Sequence, residues 1–289
     1  MNPTPTPHSP AHGQRRRRTL ALLASVCLCL SCLLLTGCTR QNGDADKDPD
    51  APLPQIIIGS DIYPPYNYLN GDGTPNGIDV QIATEAFRRM GYRAVFRTID
   101  WESKKDLVES GAIDCIWGCF SMTGREDQYR WAGPYMLSRQ VVAVNRDSDI
   151  YRLSDLAGKV IAVQTTTKPE EIFLQGTDPR IPAVREVLST ETRSLVYAAL
   201  GKGYVDAIAM HEVAILQYNA VFGTDFRILE EELLHTGLGV AFAKNDTRGL
   251  DAQLTATLAE MKEDGTLEAI IGQYLPNPAA YLEVESLEK

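Results

Sequence analysis

From residue 55 onward, short apolar runs rich in β-branched residues alternate with stretches of helical periodicity. Residues 55–59 (Gln-Ile-Ile-Ile-Gly) lie between Pro54 and the Pro64-Pro65 pair and predict a buried strand. Residues 80–90 carry a helical period that stops at Gly91. Strands are predicted at 94–96, 113–117, 141–144, 160–163 and 205–209. Helices are predicted at 104–109, 191–200, 250–263 and 267–274. This alternation predicts α/β layers with largely parallel sheets. In open α/β sheets ligands bind beyond the carboxyl ends of the strands. The residues to examine are therefore Asp61, Tyr63 and Tyr66, then Trp101, then 118–125 including Gly118, Ser121 and Arg125. Residues 164–168, with Gln164, Thr166 and Thr167, follow a later strand, as do Met210, His211 and Glu212. Aromatics, hydroxyls, one arginine and two carboxylates suit a small polar ligand.

The N-terminus follows another pattern. Arg15, Arg16, Arg17 and Arg18 precede an almost wholly apolar stretch, residues 20–35. That is short for a membrane-spanning helix, which needs about 20 residues. A basic segment and a short apolar core read as a secretory signal. The core ends in Leu35-Thr36-Gly37-Cys38, which resembles the lipobox of bacterial lipoproteins. The resemblance implies cleavage before Cys38 and lipidation of its thiol, palmitate included, anchoring the protein to the bilayer. Residues 39–54, with Asp44, Asp46, Asp48 and Asp50 and few hydrophobes, read as a flexible tether. An ordinary secretory signal or a short membrane anchor, with Cys38 incidental, is the plainer alternative.

Composition narrows the classes. The chain has 289 residues, 44% hydrophobic and 23% charged, which excludes collagen-like, low-complexity and fully disordered proteins. The net charge is −10, and removing the four arginines of residues 1–37, a segment without acids, takes it to −14. Such a chain, without a long basic face, does not point to a nucleic-acid partner. Of the six cysteines, only Cys115 and Cys119 fall in the folded part. Four residues along a strand span roughly 13 Å, whereas a disulfide needs Cα atoms within about 7 Å. A turn between them would permit a bridge, but two buried thiols is the simpler reading. With His211 and His235 they form no metal-motif spacing, so no metal or cofactor is expected.

Several blocks then occur in one order: residues 59–66 (Gly-Ser-Asp-Ile-Tyr-Pro-Pro-Tyr), 77–80 (Gly-Ile-Asp-Val) and 111–114 (Gly-Ala-Ile-Asp). Arg125 follows, with Pro134-Tyr135 nine and ten residues on, then 155–160, 203–208, 237–242 and Asp264-Gly265-Thr266. In that order the chain resembles the bacterial extracellular solute-binding proteins of family 3, the polar amino-acid type, over roughly residues 55–276. The resemblance implies a type II periplasmic-binding-protein-like fold: two α/β lobes joined by a two-strand hinge. Lobe one would be 55–136 plus 238–276, and lobe two 139–235. The hinge would lie near 135–139 and 235–238, and 277–289 would be a C-terminal tail.

The same resemblance assigns roles. Arg125 matches the arginine that grips the ligand's carboxylate, a task suited to a rigid fork of donors. Otherwise it is a surface arginine among Glu126, Asp127 and Arg130. Tyr63 and Trp101 match aromatics flanking the ligand, whose π-faces attract a cation. Tyr66 either joins them or packs beneath the loop, and Asp61 is a ligand contact or a turn residue. Gln164, Thr166 and Thr167 match a loop entering a helix, where free N–H groups make an anion site. Thr166 stands where the family usually has glycine, and Met122 where it commonly has threonine, with Ser121 beside it. His211 stands where amino-acid binders carry an aspartate for the α-ammonium, and Glu212 could supply that carboxylate through a one-residue shift.

The function this implies is an extracytoplasmic, membrane-anchored substrate-binding lipoprotein of an ABC importer. It would be a monomer that captures a carboxylate-bearing polar solute, an amino acid or derivative, by hinge closure and delivers it to a membrane permease. Two other classes share the fold: extracytoplasmic dehydratases of prephenate- or arogenate-like substrates, and sensory ligand-binding modules. In the former, His211, Glu212 and Asp61 could do acid–base work. The sequence has no nucleophile motif and no Gly-rich nucleotide loop, so a binder rather than an enzyme is expected.

Overall fold

The computed structural model describes residues 52–176 and 178–283. The signal segment, Cys38, most of the tether and residues 284–289 lie outside the described residues. The strands are β1 Gln55–Ser60, β2 Tyr68–Leu69, β3 Pro75–Asn76, β4 Arg93–Thr98, β5 Cys115–Ser121, β6 Arg130–Val144, β7 Val160–Gln164, β8 Glu186–Thr190, β9 Ala207–His211 and β10 Arg227–Phe242. The helices are α1 Ile78–Arg89, α2 Lys104–Glu109, α3 Lys168–Gln175, α4 Arg193–Gly201, α5 Glu212–Phe222, α6 Leu250–Glu263 and α7 Thr266–Ile271.

Eight strands form one continuous ladder in the order β4-β1-β5-β10-β6-β9-β7-β8. It consists of two α/β lobes joined by the two long strands, β6 of 15 residues and β10 of 16. In one lobe β1 pairs in parallel with β4 and β5. In the other, β7 pairs in parallel with β8 and β9. The long strands run antiparallel to each other, from Arg227 opposite Val144 to Phe242 opposite Arg130. The sheet is therefore less parallel than the alternation predicts. The apolar residues 141–144 mark only the end of β6. Ser138, Arg139 and Gln140 interrupt the pattern, and Glu230, Glu231 and Glu232 do the same in β10. Such polar interruptions hide a strand whose stability comes from two flanking ladders rather than from a buried face. Edge strand β8, half-exposed throughout, also escapes the pattern.

The cores divide with the lobes. Two clusters draw almost wholly on residues 56–136 and 238–282, with Val213 and Ala214 reaching in from α5. Two others draw on 141–234. Gly77, at φ 127°, starts α1 where a Cβ would strike the carbonyls of Pro65 and Tyr66. That close approach seats Asp79 in the core, where its carboxylate accepts from Cys119 N at 2.7 Å and Tyr135 Oη at 2.8 Å. Burial pushes the Asp79 carboxyl up to about 7, against the pull of those two bonds. Cys115 and Cys119 are free and buried.

Candidate functional site

The carboxyl ends of β1, β4 and β5 from one lobe face those of β7, β8 and β9 from the other. Between them lies a cavity of about 30 Å³, lined by Tyr63, Trp101, Phe120, Arg125, Gln164 and His211 among others. That volume holds a water or two. The lobes are thus closed on one another, and a solute needs them to part.

Arg125 is 8% exposed. Its guanidinium donates to the carbonyls of Ser121 at 3.4 Å and Thr166 at 3.3 Å, and Glu171 lies 4.0 Å away. Burial lowers its pKa. These are long contacts for a fork that prefers two carboxylate oxygens. Ser121 Oγ accepts from Gln140 Nε2 at 3.3 Å, and Thr167 Oγ1 donates to the Gln164 carbonyl at 2.6 Å. Thr166 adopts φ 57°, the left-handed conformation that favours glycine. This keeps the turn geometry of the expected glycine and adds a hydroxyl, which accepts from Lys104 Nζ at 2.7 Å.

Tyr63 and Trp101 line the cavity, but protein cations already cover their faces. The Arg193 guanidinium lies 3.4 Å from the Tyr63 ring centre and Lys104 Nζ 4.9 Å from that of Trp101. Asp61 pairs with Arg193 and accepts from Gln164 Nε2 at 2.9 Å. Its other oxygen, Oδ1, is buried without a partner.

His211 lines the cavity as a neutral imidazole. Gln140 Nε2 donates to its Nε2 at 2.7 Å, which leaves the proton on Nδ1 to donate to Ser138 Oγ at 2.7 Å. Burial, and then the Arg193 charge, push its pKa down to about 3. Tyr66 does not reach the cavity. It is fully buried behind His211, its hydroxyl 3.4 Å from Ser138 Oγ. Gly118 stays in the core, where a Cβ would come within 2.6 Å of Ser60 Oγ. Glu212 does not replace the absent carboxylate. It pairs with Arg139 at 3.0 Å and lines a separate cavity of about 260 Å³ near the long strands. The backbone does not shift by a residue because His211 ends β9 in register with Gln140, and Glu212 begins α5.

Sequence reasoning missed Lys104, Gln140 and Arg193. It also gave no role to Lys168, which lines the cavity and pairs with Glu171 at 2.7 Å. One signal was present: Lys104, Lys168 and Arg193 each open a helix, where the helix dipole disfavours a cation.

Two lobes closing on a buried, polar, arginine-bearing cleft define a solute-binding protein of the two-lobed periplasmic class. The chain belongs to the bacterial extracellular solute-binding proteins, family 3, which it matches over residues 56–277. It is 27% identical over 264 residues to the L-cystine-binding protein TcyA of Bacillus subtilis, covering 88% of this chain and 96% of that protein. It is 28% identical over 236 residues to the histidine-binding periplasmic protein of Salmonella typhimurium, covering 78% and 89%. A solved substrate-binding protein of an amino acid ABC transporter matches with a TM-score of 0.69 at 25% identity, covering 76% of this chain and 99% of that one.

Proposed function

We propose that this protein is the extracytoplasmic solute-binding component of an ABC importer. It captures a small carboxylate-bearing solute between its lobes and hands it to a membrane permease, as a monomer tethered through lipidated Cys38. The observation that carries this reading is Arg125, a buried guanidinium whose hydrogen bonds are long ones to two carbonyls, one from each lobe, with Glu171 4.0 Å away. A ligand carboxylate would replace those carbonyls with two charged acceptors. Lobe one, residues 55–136 with 238–276, would part from lobe two, 139–235, by bending of β6 and β10 near 135–139 and 235–238. Ligand binding then shifts the open–closed equilibrium by its preference for the closed form. The relatives, named as binding proteins for amino acids, support a carrier rather than an enzyme.

The test is native mass spectrometry of protein purified without refolding. A retained solute of amino-acid size, lost in Arg125→Ala, is expected. Retention of the same solute by Arg125→Ala would remove the carboxylate clamp. For the tether, Cys38→Ser should move the protein from the membrane to the soluble fraction on cell fractionation. Continued membrane association would count against lipidation.

A further inference from the structure

Four cations, each at most 8% exposed, gather at the cleft: Arg125, Lys168 and Arg193 on the cavity wall, and Lys104 one hydrogen bond behind it on Thr166. Arg193 is neutralised by Asp61 and Lys168 by Glu171. Lys104 has neutral hydrogen-bond partners: its Nζ donates to the Trp101 carbonyl at 3.1 Å and to the hydroxyl and carbonyl of Thr166 at 2.7 and 3.4 Å. Arg125 has a carboxylate only at 4.0 Å. Among the described residues, those lining the cavity include Arg125, Lys168 and Arg193 but no carboxylate. Both nitrogens of the neutral His211 are engaged. Arg193, stacked on Tyr63 and paired with Asp61, occupies the ring face and the carboxylate that would otherwise hold a ligand cation.

We propose, resting on the solute-binding reading above, that the cleft selects an organic acid with two acidic groups and no ammonium, Arg125 and Lys104 each holding one. Both cations bond Thr166 across the closed cleft, so opening breaks those bonds and leaves each with one carbonyl of its own lobe, Trp101 for Lys104 and Ser121 for Arg125. A diacid then gives them charged acceptors, roughly doubling the strength of each bond. Asp61 keeps one unpartnered oxygen, Oδ1, but its charge is balanced by Arg193 and it does not line the cavity. An ammonium there would therefore be buried without a counter-ion of its own, which costs several kcal/mol. Gln140 Oε1 and Gln164 Oε1, buried without partners, can accept from a hydroxyl on the ligand at no charge cost. Burial and then Arg125 push the Lys104 ammonium down to about 7. Arg193 adds to this fall, and Asp61 and Glu170 oppose it. A second acidic group at Lys104 therefore draws a proton onto it when it binds near neutral pH.

The experiment is titration calorimetry at pH 7 of the full-length protein, purified without refolding and dialysed, with malate, succinate, 2-oxoglutarate, L-glutamate, L-glutamine and L-arginine. At least one of the first three should bind about tenfold or more tightly than any amino acid. Its heat should vary with buffer ionisation enthalpy in the sense of proton uptake. Lys104→Gln should weaken that ligand about ten- to a hundredfold and remove the uptake, while Lys104→Arg retains most of the affinity. An unchanged affinity in Lys104→Gln would overturn the assignment. If an amino acid binds more tightly than every diacid and depends on Arg125, the diacid inference falls and the solute-binding reading stands. If none of the six binds, the diacid inference falls, and the solute-binding reading is decided by the native mass spectrum.

Discussion

The wall built from residues 55–136 meets the cleft with the rings of Tyr63, Trp101 and Phe120 and one guanidinium, Arg125. The wall built from residues 139–235 meets it with Gln140, Gln164, Thr166, Lys168, Arg193 and His211. The first is an apolar platform with Arg125 at the cavity and Lys104 behind it, the two cations proposed above to hold a ligand's acidic groups. The second is polar, and it carries Thr166 and His211 where the family resemblance leads one to expect glycine and aspartate. Under the proposals above, the first wall supplies the cations that grip acidic groups, and the second, with a neutral His211 and a paired Arg193, excludes an ammonium.

The largest effect should come from removing the grip. Arg125→Ala should cost about 2–5 kcal/mol of ligand affinity, while circular dichroism and the two-lobed fold are unchanged. Binding that survives at near wild-type affinity would shift the clamp to the second wall and dissolve the contrast.

The walls also differ in how legible they were. Arg125 could be found from its offset to Pro134-Tyr135, and Tyr63 and Trp101 from their places just after strands. The second wall could be read only in part. A lysine or arginine at the start of a helix looks like a solvated charge, and only the folding of α3 and α4 around the cleft brings Lys168 and Arg193 to it. Lys104, which opens α2 behind the first wall, escaped notice for the same reason. Glu212 shows the opposite failure. Its carboxylate looked available in sequence, but strand register turns it outward to Arg139. The α/β alternation was legible because buried strands are apolar, whereas the two-lobed fold was legible only through the order of the family-like blocks. The full length of β6 and β10 was not, because their middles are polar where the lobes meet.

A comparable effect, on stability rather than on affinity, isolates the second wall. Arg193→Ala leaves Asp61 buried without its cation, so chemical denaturation should show a loss of about 3–5 kcal/mol in stability. It also bares the Tyr63 ring, so L-arginine should raise the melting temperature of the variant and leave the wild type unmoved. Arg193→Lys, which keeps the charge, should lose less stability and gain no response to L-arginine. Equal responses from all three proteins would show that Arg193 does not occupy a ligand's place.

The smallest effect is in pH dependence, where the walls should have opposite signs. His211, on the second wall, is held at about 3 in the folded protein against an ordinary 6.5. Its contribution is complete above about pH 6.5 and is lost as pH falls toward 3. Asp79, behind the first wall, is raised to about 7 from an ordinary 3.8, so its contribution is complete below that value and is lost as pH rises toward 7. Between these limits the two slopes oppose, and the wild-type profile alone can look flat. His211→Gln removes one of them. The difference in unfolding free energy between wild type and variant should narrow by about 1–2 kcal/mol on going from pH 6.5 to 5. The imidazole signals of His211 in the native protein should show no titration over that range. If they titrate near pH 6, the second wall has an ionised His211, and the opposition between the walls disappears.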